Sequence, residues 1–378
     1  MNTIFFDNNS TTKIDADVFE SMIPFFKNFY GNASSNHVLG RESKSALENS
    51  RNLIAQSINA YPEQIFFTSG GTEGNNHIFQ ILANDKSSRI LISAIEHPSI
   101  TNTANNHASS NACELIEIPV NENGEIILDY LSSKLSKFCD LLCVMLVNNE
   151  TGVIQPIQKK DDFNKNIGWF HCDAVQAFGK IPIDFINMPF DSISLSSHKI
   201  HGPKGIGALV VKDPSKLPGF IFGGMQENSM RAGTESIANI VGFASAAKKI
   251  DTMLQSQKNH VSELRNYVEK RLIKLGATIL GKNADRVYNT CCFGFKNISG
   301  DSLLAELDTH GICLSSGSAC SNLESSDNYV LKKMGIKEID SKSVVRLSLS
   351  INNTFEECIY FLNKCEEVVT NFRQLITI

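Results

Sequence analysis

The stretch GWFHCDAVQAFGKIPIDFINMPFDSISLSSHKIHGPKGIGALVV, residues 168–211, holds three apolar runs of strand length, each next to a polar or charged side chain. GWFHCDA carries Asp173 near its end, SISLSS leads into His198 and Lys199, and GALVV follows a turn rich in glycine and proline. Such short apolar runs are the mark of strands buried on both faces. Outward from here, QIFFTS (64–69), RILISAI (89–95) and LLCVMLV (141–147) repeat the pattern, with longer helical patterns between them. The alternation predicts an α/β fold, a mostly parallel sheet covered by helices. Open sheets of this kind present ligand-binding groups at strand ends, so Thr68, Glu96, Asn148, Asp173 and Ser196 are expected along one crevice.

A long helical pattern covers residues 237–276, and strand and turn signals follow through VYNTCCFGF (287–295) and SVVRLSLS (343–350). The expected organisation is an extended arm over residues 1–12, a large domain over 13–247 and a smaller α/β domain over 248–378. A chain of 378 residues with 42% hydrophobic side chains can bury two such cores. A net charge of -5 without a Lys/Arg block argues against binding a nucleic-acid backbone. It leaves open a local basic patch for a small anion. The apolar runs are too short to cross a bilayer as helices, and MNTIFFDNNS lacks the charged-then-apolar order of a leader, so a cytoplasmic location is expected. Ten cysteines in this length make no disulfide framework. Cys139, Cys143, Cys358 and Cys365 read as small apolar residues. Cys291 and Cys292 have no second Cys/His pair at usable spacing, so no metal is expected.

Several residues carry chemistry, each beside a plainer alternative. The loop FTSGGTEGNN (67–76) lies between a strand and a helix, so Gly70, Gly71 and Thr72 could cradle a phosphate on their amides. It lacks the nucleotide-loop and dinucleotide patterns, and an ordinary turn is the alternative. Lys199 could condense with a carbonyl if its amine were held partly neutral; a solvated strand-end charge is the alternative. Asp173 shifts that balance, because a carboxylate beside a pyridine nitrogen keeps the ring protonated and electron-withdrawing. Gln176, three residues on, could donate to a ring oxygen. His97 in AIEHPS (94–99) could stack on such a ring and exchange protons, or simply pack. Cys320 in CLSSGSACSN (313–322) has small polar neighbours that suit an attacking thiol. Cys313 nearby reads as structural. Arg346 could grip a carboxylate with two N–H groups, or form a structural salt bridge. Together these residues point to pyridoxal phosphate acting on a sulfur substrate.

At these positions the chain resembles the NifS/IscS-like cysteine desulfurases, within the class V aminotransferase group of pyridoxal phosphate enzymes (fold type I). The likeness runs from FFDNNSTT (5–12) through GNASSNHVLGRES (31–43), VNNETGVIQPI (147–157) and GGMQENSMRAGTES (223–236) to SSGSACS (315–321) and VVRLSLS (344–350). The resemblance implies that Lys199 bonds the cofactor, Asp173 pairs with its ring nitrogen, Gln176 meets its phenolate oxygen and His97 stacks on it and assists proton transfer. Gly71, Thr72, Ser196 and His198 would hold the phosphate, with Thr234 reaching in from the second subunit of a homodimer. Asn148 and Arg346 would orient L-cysteine, and Cys320 would take its sulfur as a persulfide, releasing L-alanine. A sulfur-acceptor or scaffold protein would follow, in iron-sulfur cluster assembly or tRNA thiolation. The interval from Cys320 to Arg346 resembles the branch with a long loop after that cysteine. Asn9, Gly71, Gly74 and Cys172 depart from the usual pattern; freer loop motion is the expected effect of the glycines, and Cys172 is expected to point away from Asp173.

Overall fold

The computed structural model describes residues 3–82, 87–110, 113–158, 166–316, 328–337 and 342–376. Seven strands form the main sheet: β2 (Ile65–Thr68), β3 (Arg89–Ser93), β4 (Glu114–Ile118), β5 (Cys139–Cys143), β6 (Ile167–Asp173), β7 (Ser192–Ser196) and β8 (Gly207–Val211). Their order is β2-β8-β7-β6-β5-β3-β4. The pairs β3–β4, β3–β5, β5–β6 and β6–β7 are parallel. At the other side β7–β8 and β8–β2 are antiparallel. The expectation of a mostly parallel sheet therefore describes its centre. Strand β4, ELIEI, was not anticipated, because its two glutamates interrupt the apolar run and it lies at the edge, with Glu114 exposed.

Helices α1 (Ala16–Lys27) and α2 (Val38–Ser57) both pack on α6 (Ile237–Lys248) beside this sheet. Asp15 starts α1 by accepting the backbone N–H groups of Asp17 and Val18, which satisfies two donors a helix end otherwise leaves open. Helix α3 (Gly71–Ile78) follows β2 directly, α4 (Pro98–Ser110) follows β3, and α5 (Leu128–Lys134) precedes β5. Among the described residues no helix is long and apolar enough to cross a membrane.

The chain leaves this layer through α7 (Ile250–Thr252) and a widened turn at Met253–Gln257, and enters α8 (Lys258–Lys274). Beyond it lies a four-stranded antiparallel sheet of β12 (Ser315–Ser316), β13 (Val344–Ser348), β10 (Thr290–Phe295) and β9 (Ala277–Ile279). Helices α8, α9 (Gly300–Thr309) and α11 (Phe355–Ile376) pack together over it, and α10 (Tyr329–Lys333) lies between β12 and β13 in the chain. A separate apolar cluster of Val261, Leu264, Phe293, Phe295 and Phe361 holds this part together. In α11 the buried Cys358, Leu362, Cys365 and Val369 recur at helical spacing, so both cysteines serve as core side chains. The N-terminal arm belongs here too: Phe6 is in the same cluster, β1 (Ile4–Phe5) pairs with β11 (Ile312–Cys313), and Asp7 bridges Ser348.

Candidate active site

The C-terminal ends of β3, β5, β6 and β7 open on a cavity of about 220 Å³. The loop after β6 supplies Asp173, Val175 and Gln176, and the turn after β7 supplies Ser196, His198 and Lys199. The first turns of α3 give Gly71, Thr72 and Asn75; His97 and Ser99 follow β3; Met145 and Asn149 follow β5. Asn9 and Ser10 come from the arm and Arg346 from β13, so both parts of the fold line the cavity. Nine of the residues singled out from the sequence thus meet in one place: Gly71, Thr72, His97, Asp173, Gln176, Ser196, His198, Lys199 and Arg346.

Thr68, Gly70, Glu96, Asn148 and Thr234 do not line it. Asn148 is fully buried and its amide is consumed locally: Oδ1 accepts the N–H groups of Glu150 and Thr151 at 3.0 and 2.9 Å, and Nδ2 donates to the Ile95 carbonyl. Asn148 therefore shapes the turn, and its neighbour Asn149 reaches the cavity wall instead. The pair NN in VNNETG carries no cue as to which side chain turns inward. Thr234 is exposed and away from this lining. Cys320 lies outside the described residues.

Asp173 is 5% exposed, and a chain of donors fixes it. Trp169 Nε1 donates to Ser192 Oγ, and Ser192 Oγ lies 2.8 Å from His171 Nδ1. His171 Nε2 then meets Asn75 Oδ1 at 3.0 Å, and Asn75 Nδ2 donates to Asp173 Oδ2 at 2.8 Å. A carboxylate only accepts, so Asn75 turns Nδ2 to Asp173 and Oδ1 to His171 Nε2, which carries a proton; with the ring neutral, His171 Nδ1 accepts from the Ser192 hydroxyl. Burial supports this by pushing the His171 pKa down to about 3. The backbone N–H of Val175 takes the other oxygen, Asp173 Oδ1, at 3.0 Å. Asn75 was missed in the sequence, although it shares the face of α3 that carries Gly71 four residues earlier.

His97 accepts the Ser99 N–H on Nδ1 at 3.1 Å, which leaves the ring proton on Nε2. Burial lowers its pKa, with Asp173 opposing and Lys199 adding to the effect. Lys199 Nζ donates to the carbonyls of Asn9 and Ser10 at 2.5 and 2.7 Å, which stretches it across the arm. His198 is pushed down to about 4, by burial first and by Lys199 and Lys204 after it. Arg346 is 3% exposed; Nη2 donates to Asp7 and Ser10 at 2.7 Å, and Nη1 to the Asn149 carbonyl at 3.0 Å. Three of its five N–H groups are used; the two left are the second one on Nη1 and the buried Nε–H, which has no partner among the described residues. Two buried carboxyl groups flank the site: burial pushes both Glu96 and Glu150 up to about 8. Glu96 accepts the Ser93 hydroxyl and, at 2.6 Å, the Met145 N–H, while its second oxygen has no partner among the described residues.

The two unusual glycines have a packing cause. A Cβ on Gly71 would come within 2.4 Å of Val175 Cγ2, and one on Gly74 within 2.6 Å of Ser194 Oγ. Neither glycine has a positive φ, so their backbone could be adopted by alanine. The expectation of loop freedom is therefore replaced by a notch that Val175 fills. Gly71→Ala is expected to destabilise the protein by about 1–3 kcal/mol through overpacking. Adding Val175→Ala should restore the melting temperature; a single variant as stable as the parent would contradict the clash. Cys172 is fully buried and Asp173 lines the cavity, in keeping with strand alternation.

A family model for class-V aminotransferases matches residues 4–361. The chain belongs to the class-V aminotransferase family. A cysteine desulfurase of Sinorhizobium fredii is 36% identical to it over 99% of this chain and 98% of the relative. A solved NifS-like protein superposes with a TM-score of 0.90 at 33% identity, covering 98% of this chain and all of that one. A structure described as SspA in complex with cysteine has a TM-score of 0.81 at 29% identity, over 93% of this chain and all of the other. Class-V aminotransferases of this kind use pyridoxal phosphate, and this cavity's donor set fits it. Asp173 offers a buried carboxylate for the pyridinium. The start of α3 offers the positive end of a helix for the phosphate, with Ser196 and His198 beside it. Lys199 offers the amine.

Proposed function

We infer that this class-V aminotransferase family member is a cysteine desulfurase, which takes sulfur from L-cysteine and releases L-alanine. The observation that carries the reading is that Lys199, Asp173 and Arg346 line one cavity, with a buried Arg346 donor left for a substrate carboxylate. The sequence likeness to cysteine desulfurases over almost the whole chain supports the same conclusion.

Pyridoxal phosphate, when bound, supplies an electron-withdrawing ring that weakens bonds at the substrate Cα. Asp173 keeps the ring nitrogen positively charged, and the donor series from Trp169 holds that carboxylate in one orientation. Arg346 binds the substrate carboxylate, a planar pair of oxygens that suits a guanidinium. Lys199 removes the Cα proton and returns it, and His97, neutral with a proton on Nε2, is placed to hold or release a second one. The Cys320 thiolate attacks the substrate sulfur: an S–S bond forms, the substrate carbon–sulfur bond breaks, and its electron pair stays with the carbon skeleton, which is protonated to alanine. The persulfide then passes to an acceptor or scaffold protein, for iron-sulfur cluster assembly or tRNA thiolation. The exposed position of Thr234 supports a homodimer in which it serves the other subunit's phosphate site. A reducing cytoplasm would keep the thiols ready.

Purified protein with pyridoxal phosphate should convert L-cysteine to L-alanine and carry an alkylation-trapped persulfide on Cys320. Cys320→Ser should keep the bound cofactor and lose both products. Undiminished alanine release by that variant would refute the role of Cys320, and release of a keto acid in place of alanine would make the protein a transaminase.

A further inference from the structure

We propose that Lys180 is a positioning residue: it fixes which end of the Gln176 amide faces the cavity, by a hydrogen bond that the amide oxygen accepts. The proposal rests on the reading of Gln176 as the partner of the cofactor's ring oxygen.

Lys180 closes the turn AFGK that follows Gln176, and only 7% of it is exposed. Its Nζ donates to two neutral amide oxygens, Gln176 Oε1 and, at 3.0 Å, Asn9 Oδ1. A carboxamide can be turned end for end at almost no change in shape, so its polarity is set only by its partners. An ammonium donates and never accepts, hence Gln176 must offer it oxygen. On the other side Gln176 Nε2 donates to the Asn9 carbonyl at 2.9 Å, a group that only accepts. The two contacts agree, and the second N–H of Gln176 is the one left for the cavity that Gln176 lines.

The same logic runs through Asn9, one of the departures from the family pattern. Its Oδ1 accepts from Lys180 and from Asn289 Nδ2 at 3.1 Å, while its Nδ2 donates to Thr290 Oγ1 at 2.9 Å and the Asn149 carbonyl at 3.2 Å. Asn9 thereby anchors Lys180 from the arm and from β10 together. Burial lowers the Lys180 pKa, and the neighbouring positive groups Lys199 and Arg346 lower it further. Even an uncharged amine keeps two N–H donors for these two oxygens. Without Lys180 the Gln176 oxygen would be buried unpaired, and turning it into the cavity would give it water as a donor.

The test compares the affinity of the apo-protein for pyridoxal phosphate and for its 3-deoxy analogue, which lacks the ring hydroxyl, followed by absorbance and by fluorescence quenching. The parent should prefer pyridoxal phosphate by roughly tenfold, the weight of one hydrogen bond to a charged oxygen. Gln176→Leu should abolish that preference, and Lys180→Met should abolish it as well although Gln176 is intact. Lys180→Arg, which also only donates, should retain it. If Gln176→Leu keeps the preference, the reading of Gln176 fails and the proposal falls with it. If Gln176→Leu loses the preference while Lys180→Met keeps it, the role of Lys180 alone is overturned. Should Lys180→Met not fold, Lys180→Leu, equally without a donor, takes its place, and an intact preference there overturns the proposal equally.

Discussion

Lys199→Ala is expected to lower L-cysteine turnover at least about a thousandfold, because one side chain both anchors the cofactor and moves the Cα proton. The variant should also release pyridoxal phosphate on desalting, which the parent should retain. Lys199→Arg is expected to be as poor, since a guanidinium keeps its charge and cannot condense with a carbonyl. The geometry explains why no neighbour can substitute. Lys180 is tied to two amide oxygens behind the cavity, and Lys204 is absent from its lining. Alanine release by Lys199→Ala at more than a tenth of the parent rate would sink this assignment.

Glu96→Gln is expected to change how stability depends on pH. Burial disfavours the Glu96 charge and pushes its pKa from the ordinary 4.5 up to about 8. Its contribution to stability is therefore complete below about pH 4.5 and is lost as pH rises towards 8. The buried histidines act in the opposite direction. His171 and His198, held at about 3 and 4 against 6.5, contribute fully above pH 6.5 and lose that contribution as pH falls. A neutral glutamine removes only the alkaline loss. The variant should match the parent near pH 5 and exceed it near pH 8 by an amount on the order of a few kcal/mol. Denaturant titrations at the two pH values decide it: parallel shifts for parent and variant would mean that Glu96 is not held protonated.

The centre of the fold was readable because parallel strands buried on both faces leave uninterrupted apolar runs. The edge was not: in β4 the glutamates stand three residues apart, so strand alternation is lacking and nothing local distinguishes it from an exposed helix turn. In the site, Asp173 and Lys199 were legible since a charge after an apolar run has few structural uses, while Thr68 and Glu96, chosen by the same strand-end rule, do not line the cavity. Side chains that act through others were not. Trp169 and Asn75 owe their roles to partners 23 and 98 positions away in the chain, and Lys180 is anchored by Asn9 across 171 positions. Asn148 shows the same limit from the other side, for a loop asparagine that caps its own turn and one that faces a ligand look alike in sequence.

The cavity wall also has an order of manufacture. Arg346 meets Asp7 and Ser10 across separations of 339 and 336 residues, so the first and last parts of the chain close the same space. A growing polypeptide that has already made Asp173 and Lys199 still lacks the strand that seals them. On the ribosome β1 must wait for β11, synthesised some three hundred residues later, and the guanidinium that closes the cavity arrives with the final strand.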